Sequence, residues 1–219
     1  MNGMATTLQV PEQRVVLDNI AWDLYEDLLA AHRDRRAPRF TYDRGHLEIM
    51  SPSAEHEQIA EAVTLLVNIV AEEFGVNAKG FGSTTFRRQD LDHGFEPDAC
   101  FYVTALPRVA GKTDLDLRID PPPDLVIEVD IASSSLDKLS IMARLNVPEV
   151  WHYDRKGWRI FSLRHAAYQQ QTESVAFPSL TVETIAKLVE DSRTLEPLAW
   201  IRRVRESVVL GKDRSRGTG

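Results

Sequence analysis

The segment that most constrains this chain is Leu125-Val-Ile-Glu-Val129, an almost unbroken apolar run entered from Pro121-Pro-Pro-Asp124. Three of its five residues are β-branched, and a strand without polar alternation is expected only where a sheet is covered on both faces. A helical pattern over about 136–145 and a strand at about 150–153 follow it, so the three form a β-α-β unit. The chain is therefore expected to be α/β. The one charge in the run is Glu128. Alternation along a strand puts Asp124, Val126, Glu128 and Asp130 on one face and Leu125, Ile127 and Val129 on the other. An uncompensated buried carboxylate costs several kcal/mol, so Glu128 belongs either to an internal ion pair or to a functional site.

The rest of the chain supplies elements to cover that strand. Asp18 is a candidate cap for a helix from about Asn19 to Arg33, and Arg39–Asp43 and His46–Met50 flank an Arg44-Gly45 turn as a hairpin. A long helix is expected from Ser51 or Ser53 to Phe74, ending at Gly75, because Ile59, Val63, Leu66, Val67, Val70 and Phe74 recur at helical spacing. Extended segments are expected at 83–88 and 98–103, followed by a polar loop over 104–123. A hairpin turning at 154–157 leads into 158–163, then a strand at 168–172 and helices at 182–192 and 196–206. With 219 residues, one domain is expected: an N-terminal extension over 1–17, the main domain over 18–193, a C-terminal helix over 194–210 and a flexible tail over 211–219.

Two acidic strands suggest chemistry. Glu96-Pro97-Asp98 opens the segment before the apolar strand, and Asp98 with Glu128 on neighbouring strands would give the hard oxygen donors that Mg²⁺ or Mn²⁺ accepts. Such an ion lowers the pKa of an attacking water and stabilises a phosphoryl transition state. Lys138 begins the following helix on the side of Ile141, Met142 and Leu145, so it points toward the sheet; it either serves that site or pairs with Asp137 or Glu128 as a snorkelling side chain.

Pro97-Asp98, Pro122-Pro-Asp-Leu-Val-Ile-Glu-Val129, Ser133-Ser-Ser-Leu-Asp-Lys138 and Asn146-Val-Pro-Glu-Val-Trp151 with Tyr153-Asp154 resemble the Uma-type family of predicted restriction endonucleases. Leu47-Glu-Ile-Met-Ser-Pro52 and His56 fit it too, and the likeness extends over about residues 20 to 180. That family is a branch of the PD-(D/E)XK nuclease superfamily. The resemblance implies a restriction-endonuclease-like mixed β-sheet flanked by helices, with an N-terminal helix and hairpin and C-terminal helices. It makes Asp98 the Asp of the PD pair and Glu128 the acid of the second half-motif. The superfamily lysine two positions on is Asp130 here, and Lys138 is the expected replacement. Met142 stands where the family commonly has Tyr. Glu55, with Glu48 as the alternative, is the candidate for an additional acid from the first core helix, and His56 either faces the site or caps and packs the helix start.

The expected activity is divalent-metal-dependent cleavage of DNA, with Asp98 and Glu128 as ligands, Lys138 acting on water and phosphate, and Arg87 and Arg88 as the basic pair nearest a DNA groove. The rivals are a catalytically degenerate binding module and a hydrolase of another phosphoester. A net charge of −7 argues against a protein that coats nucleic acid by phosphate neutralisation. The single cysteine, Cys100, excludes a disulfide framework and reads as a small buried hydrophobe. Zinc and dinucleotide motifs are absent from the sequence, Trp151 and Trp158 read as sheet packing, and Arg202, Arg203 and Arg205 as a solvated helix face. No apolar run reaches the ~20 residues a spanning helix needs, and no basic segment precedes an apolar stretch at the N-terminus, so a cytoplasmic location is expected. Double-strand cleavage needs two centres or two visits, so a homodimer is expected, with the hairpin at Trp158 as a contact.

Overall fold

The computed structural model describes residues 11–33, 35, 37–132, 134, 136–178 and 180–216, with side chains described as far as 209. Parts of the expected N-terminal extension and C-terminal tail, residues 1–10 and 217–219, lie outside the described residues. The elements in chain order are β1 (Gln13–Leu17), α1 (Trp22–His32), β2 (Arg39–Asp43), β3 (His46–Ser51), α2 (Ala54–Phe74), β4 (Lys79–Gly80), β5 (Phe86–Arg88), β6 (His93–Phe95), β7 (Ala99–Tyr102), α3 (Leu106–Val109), β8 (Leu125–Asp130), α4 (Lys138–Arg144), β9 (Glu149–Asp154), β10 (Gly157–Arg164), β11 (Ala167–Gln171), α5 (Val182–Thr194) and α6 (Pro197–Arg216).

They form two sheets. One has the order β1-β3-β2-β6-β5 and is antiparallel; the other has the order β11-β10-β9-β8-β7-β4 and is mixed, with β8 and β9 its parallel pair. The β8-α4-β9 crossover is the β-α-β unit expected from the sequence. Both faces of β8 are covered. Leu125, Ile127 and Val129 pack with Ile59, Val63, Leu66 and Val67 of α2 and with residues of α5 and α6, while Val126 packs with Cys100, Ile141 and Met142 on the α4 side. Glu128 shares the parity of Val126 and so faces α4.

The long helix starts and stops for the expected reasons. Ser53 accepts a hydrogen bond from the His56 amide at 3.2 Å, and Gly75 takes φ 66°, where its N–H and that of Val76 close onto Glu72 and Ala71 carbonyls. The first helix differs. It begins at Trp22 with Ala21 at the N-cap position, while Asp18 pairs with His46 at 2.6 Å. Short strand β6 was invisible as a pattern because its centre is Gly94, where an added Cβ would lie 2.4 Å from the Tyr25 hydroxyl; glycine lets α1 seat on the sheet. Trp158 itself is buried in the main core, as the sheet-packing reading expects. The segment set aside as an N-terminal extension contributes β1, and α6 continues past 210 to Arg216. Among the described residues no helix is long and apolar enough to cross a membrane.

Candidate active site

The C-terminal end of β8 delivers Glu128 and Asp130 to the α4 side. Asp137 caps α4 by accepting from the Ser140 amide at 3.1 Å, which makes Lys138 the first helical residue and turns its side chain back over the strand. Its Nζ lies 2.8 Å from Glu128 Oε2 and 3.4 Å from Asp130 Oδ1. All three are largely buried, and Glu128 is only 2% exposed. Burial pushes the Glu128 carboxyl up to about 7; Lys138 opposes the rise, and the Asp98 and Asp130 charges add to it. Asp130 moves the other way: burial disfavours its charge, but Lys138, His152 and Arg14 more than offset that and hold it below the ordinary carboxylate range. Burial likewise opposes the Lys138 charge, yet the three carboxylates raise its pKa. Among the described residues, Glu128 Oε1 has no hydrogen-bond partner although it is buried.

Asp98 sits behind this group at the start of β7. Its Oδ2 accepts from the Val129 amide at 2.6 Å, and its Oδ1 faces Arg39 and the Nε2 of His56, the latter at 2.7 Å. His56 Nδ1 lies 2.6 Å from Glu12 Oε2. Despite burial, the hydrogen bonds to Asp98 and Glu12 raise His56 to about 9, which favours the imidazolium, while Arg39 Nη1 also lies 2.9 Å from Nε2. Burial of Asp98 is outweighed by His56 and Arg39, and its carboxyl lies below the usual range.

Arg14 of β1 closes the group from the other side. Its guanidinium donates to Glu48 at 2.6 Å, to Asp130 at 2.6 Å and to Glu12 at 2.9 Å; Glu48 also accepts from the Ser134 hydroxyl at 2.9 Å. His152 is in register with Glu128 across the parallel pair, and its Nε2 lies 2.8 Å from Asp130 Oδ2. Arg159 Nη2 approaches His152 Nδ1 at 3.0 Å. A guanidinium can only donate, so Nδ1 is the acceptor and Nε2 carries the proton given to Asp130. A cavity of about 450 Å³ opens over Glu128, Asp130 and Lys138, walled by Leu136, Leu139 and Met142 and rimmed by His152, Arg155 and Lys156.

The fold thus brings together Asp98, Glu128, Asp130, Lys138, Glu48 and His56. It does not bring in Glu55, which is half-buried on α2 and pairs with Arg193 at 3.2 Å. Arg87 and Arg88 pair with Glu26 and Asp90, each at closest distances of 2.6–2.7 Å, and line other cavities. Sequence reasoning missed Glu12, Arg14, Arg39 and His152. Only His152 carried a usable signal, since parallel pairing of β8 with β9 sets it beside Glu128; the others arrive from strands whose docking no local pattern announces.

Among the described residues no group of three or more His, Cys, Asp or Glu side chains is arranged to hold a metal ion. The donor chemistry nevertheless fits a hard divalent cation: the side chains are carboxylates, and Glu128 Oε1 is a buried acceptor short of a partner. Their other oxygens are turned to Arg14, Arg39, His56 and Lys138.

The Uma2 family model, described as "Putative restriction endonuclease", matches residues 22–195. A solved structure from Anabaena variabilis ATCC 29413, described as a putative nuclease belonging to DUF820, aligns with a TM-score of 0.52 at 15% identity, covering 78% of this chain and 99% of that one. No curated protein matches. The structural likeness bears out the mixed sheet flanked by helices. The chain belongs to the Uma2 family.

Proposed function

We propose that this chain is a Mg²⁺- or Mn²⁺-dependent endonuclease acting on DNA. The observation that carries the reading is Glu128 Oε1, which lacks a partner among the described residues and is buried beside Asp130 and Lys138 at an open cavity. Glu128 and Asp130 would hold the ion with Asp98, whose Oδ2 makes one hydrogen bond and can accept another. When bound, the ion supplies a Lewis acid and an acidified water.

The chain's own residues do the rest. Lys138 stays charged because Glu128, Asp130 and Asp98 support its proton, so it is no general base; it presents a fixed ammonium to the phosphodiester and to the charge that develops on phosphorus. His152 holds Asp130 through Nε2–H, and Arg39 with His56 fixes Asp98. Arg155 and Lys156 are exposed at the cavity rim and form no ion pair among the described residues, so they are better placed than Arg87 and Arg88 to meet backbone phosphates. A homodimer would cut both strands in one encounter; light scattering at micromolar concentration should give twice the monomer mass.

The second reading, a binding module with a silent centre, draws on the cations that already satisfy most of these carboxylates. Supercoiled plasmid incubated at low salt with Mg²⁺ or Mn²⁺ separates the two. Wild type should nick and linearise it, with Glu128→Gln and Lys138→Ala slower by at least about 100-fold. Intact plasmid under every divalent ion would leave the silent module.

A further inference from the structure

Five carboxylates converge here, those of Glu12, Glu48, Asp98, Glu128 and Asp130, and four cations already face them: Arg14, Arg39, His56 and Lys138. So nearly balanced a cluster offers a divalent ion little net attraction unless one cation leaves. Three of the four are built into the body of the fold. Arg39 lies on β2, paired on both sides; His56 lies in the first turn of α2, and Lys138 begins α4 over β8.

Arg14 differs in every respect. It lies on β1, a strand that among the described residues sits at the sheet edge and pairs only with β3, and it precedes residue 22, where the family match begins. Val15, Val16 and Leu17 are 54%, 39% and 39% exposed, so the strand gains little from apolar burial. Its side-chain anchorage is ionic. Arg14 reaches Glu48 and Asp130 at 2.6 Å each, and preceding Glu12 reaches His56 and the Ala132 amide. The guanidinium therefore bridges Glu48 and Asp130, and Asp130 in turn shares the Lys138 ammonium with Glu128, whose buried Oε1 has no partner among the described residues.

We propose that Arg14 is a resident cation in the seat a divalent ion takes, that Glu48 and Asp130 are ligands it shields, and that β1 loosens when the ion enters. The inference rests on the metal-dependent reading above and adds to it an internal competitor and a ligand, Glu48. A guanidinium and a divalent ion would then exclude each other, and metal affinity would be set partly by how firmly β1 is held.

The test uses MnCl₂ alone, with calorimetry and amide hydrogen exchange. In Arg14→Gln, Mn²⁺ should bind at least about tenfold more tightly than in wild type, Arg14→Lys should stay near wild type because the charge persists, and adding Glu48→Gln to Arg14→Gln should reverse the gain. In wild type, the β1 amides should exchange faster as Mn²⁺ saturates. Equal or weaker affinity in a folded Arg14→Gln, or β1 exchange unchanged or slowed by saturating Mn²⁺, overturns the inference while leaving the metal-dependent reading intact. If Arg14→Gln fails to fold, wild-type exchange alone decides. Absence of Mn²⁺ binding in both proteins overturns the two readings together.

Discussion

Two glutamates on adjacent parallel strands show what separates structure from chemistry in this fold. Glu149 on β9 and Glu128 on β8 are 1% and 2% exposed. Glu149 accepts from Trp151 Nε1 and Ser174 Oγ at 2.6 Å each through one oxygen, and from the Val175 and Ala176 amides at 2.6 and 3.0 Å through the other. It faces fixed neutral dipoles and staples the 174–176 segment to the sheet. Among the described residues Glu128 accepts one bond, from Lys138, and its Oε1 has no partner; it opens on a cavity. Equal burial therefore carries opposite meanings. A buried carboxylate with its lone pairs met by rigid donors holds the chain together, whereas one left short beside open space can take a ligand.

The largest expected effect is on the staple. Glu149→Ala should lose about 3–5 kcal/mol in urea unfolding, since four donors lose their acceptor at once. Glu128→Gln should cost little or even stabilise the metal-free protein, because it removes like-charge repulsion with Asp98 and Asp130. Reversal of that order would break the comparison. Next comes Lys138→Met, which removes the one donor to Glu128 among the described residues: stability should fall by about 2–4 kcal/mol without metal. Saturating Mn²⁺ should restore more of it than the same ion adds to wild type, measured as a shift in Tm.

How far such a contrast is legible in the sequence depends on the range of the interactions. The apolar run at β8, the cap and glycine stop of α2 and the β2–β3 hairpin are local, and each was readable to within a residue or two. Glu128 was visible as a charge in an apolar strand, and its neighbour Lys138 as a charge on an inward helix face. Glu149 was not distinguished from them, because its partners at 174–176 belong to an irregular segment 25 residues away. Arg14 and Glu12 reach across 116 and 120 residues to Asp130 and Ala132, contacts that no periodicity encodes. Glu55 was misplaced for a related reason: it is adjacent to His56, but consecutive helical residues point about 100° apart, and His56 took the inward position.

The smallest expected effect concerns a third buried titratable group. Burial lowers the His93 pKa below its ordinary 6.5, with Asp43 opposing and Arg44 and Arg144 reinforcing the shift. The unfolded chain then takes up a proton near pH 6.5 that the native state refuses, so this residue's contribution is intact above that pH and declines below it. His93→Gln should flatten the stability profile below pH 6.5 by about 1 kcal/mol or less relative to wild type. A steeper profile in the variant would show that His93 is charged in the native state.

The proposed cation-binding centre includes Glu128 and not Glu149. Calorimetric titration of MnCl₂ into wild type, Glu128→Gln and Glu149→Gln tests it most directly, with circular dichroism confirming that each is folded. Wild type and Glu149→Gln should bind with comparable affinity, and Glu128→Gln should lose at least about 100-fold. Undiminished Mn²⁺ binding by folded Glu128→Gln would contradict that assignment.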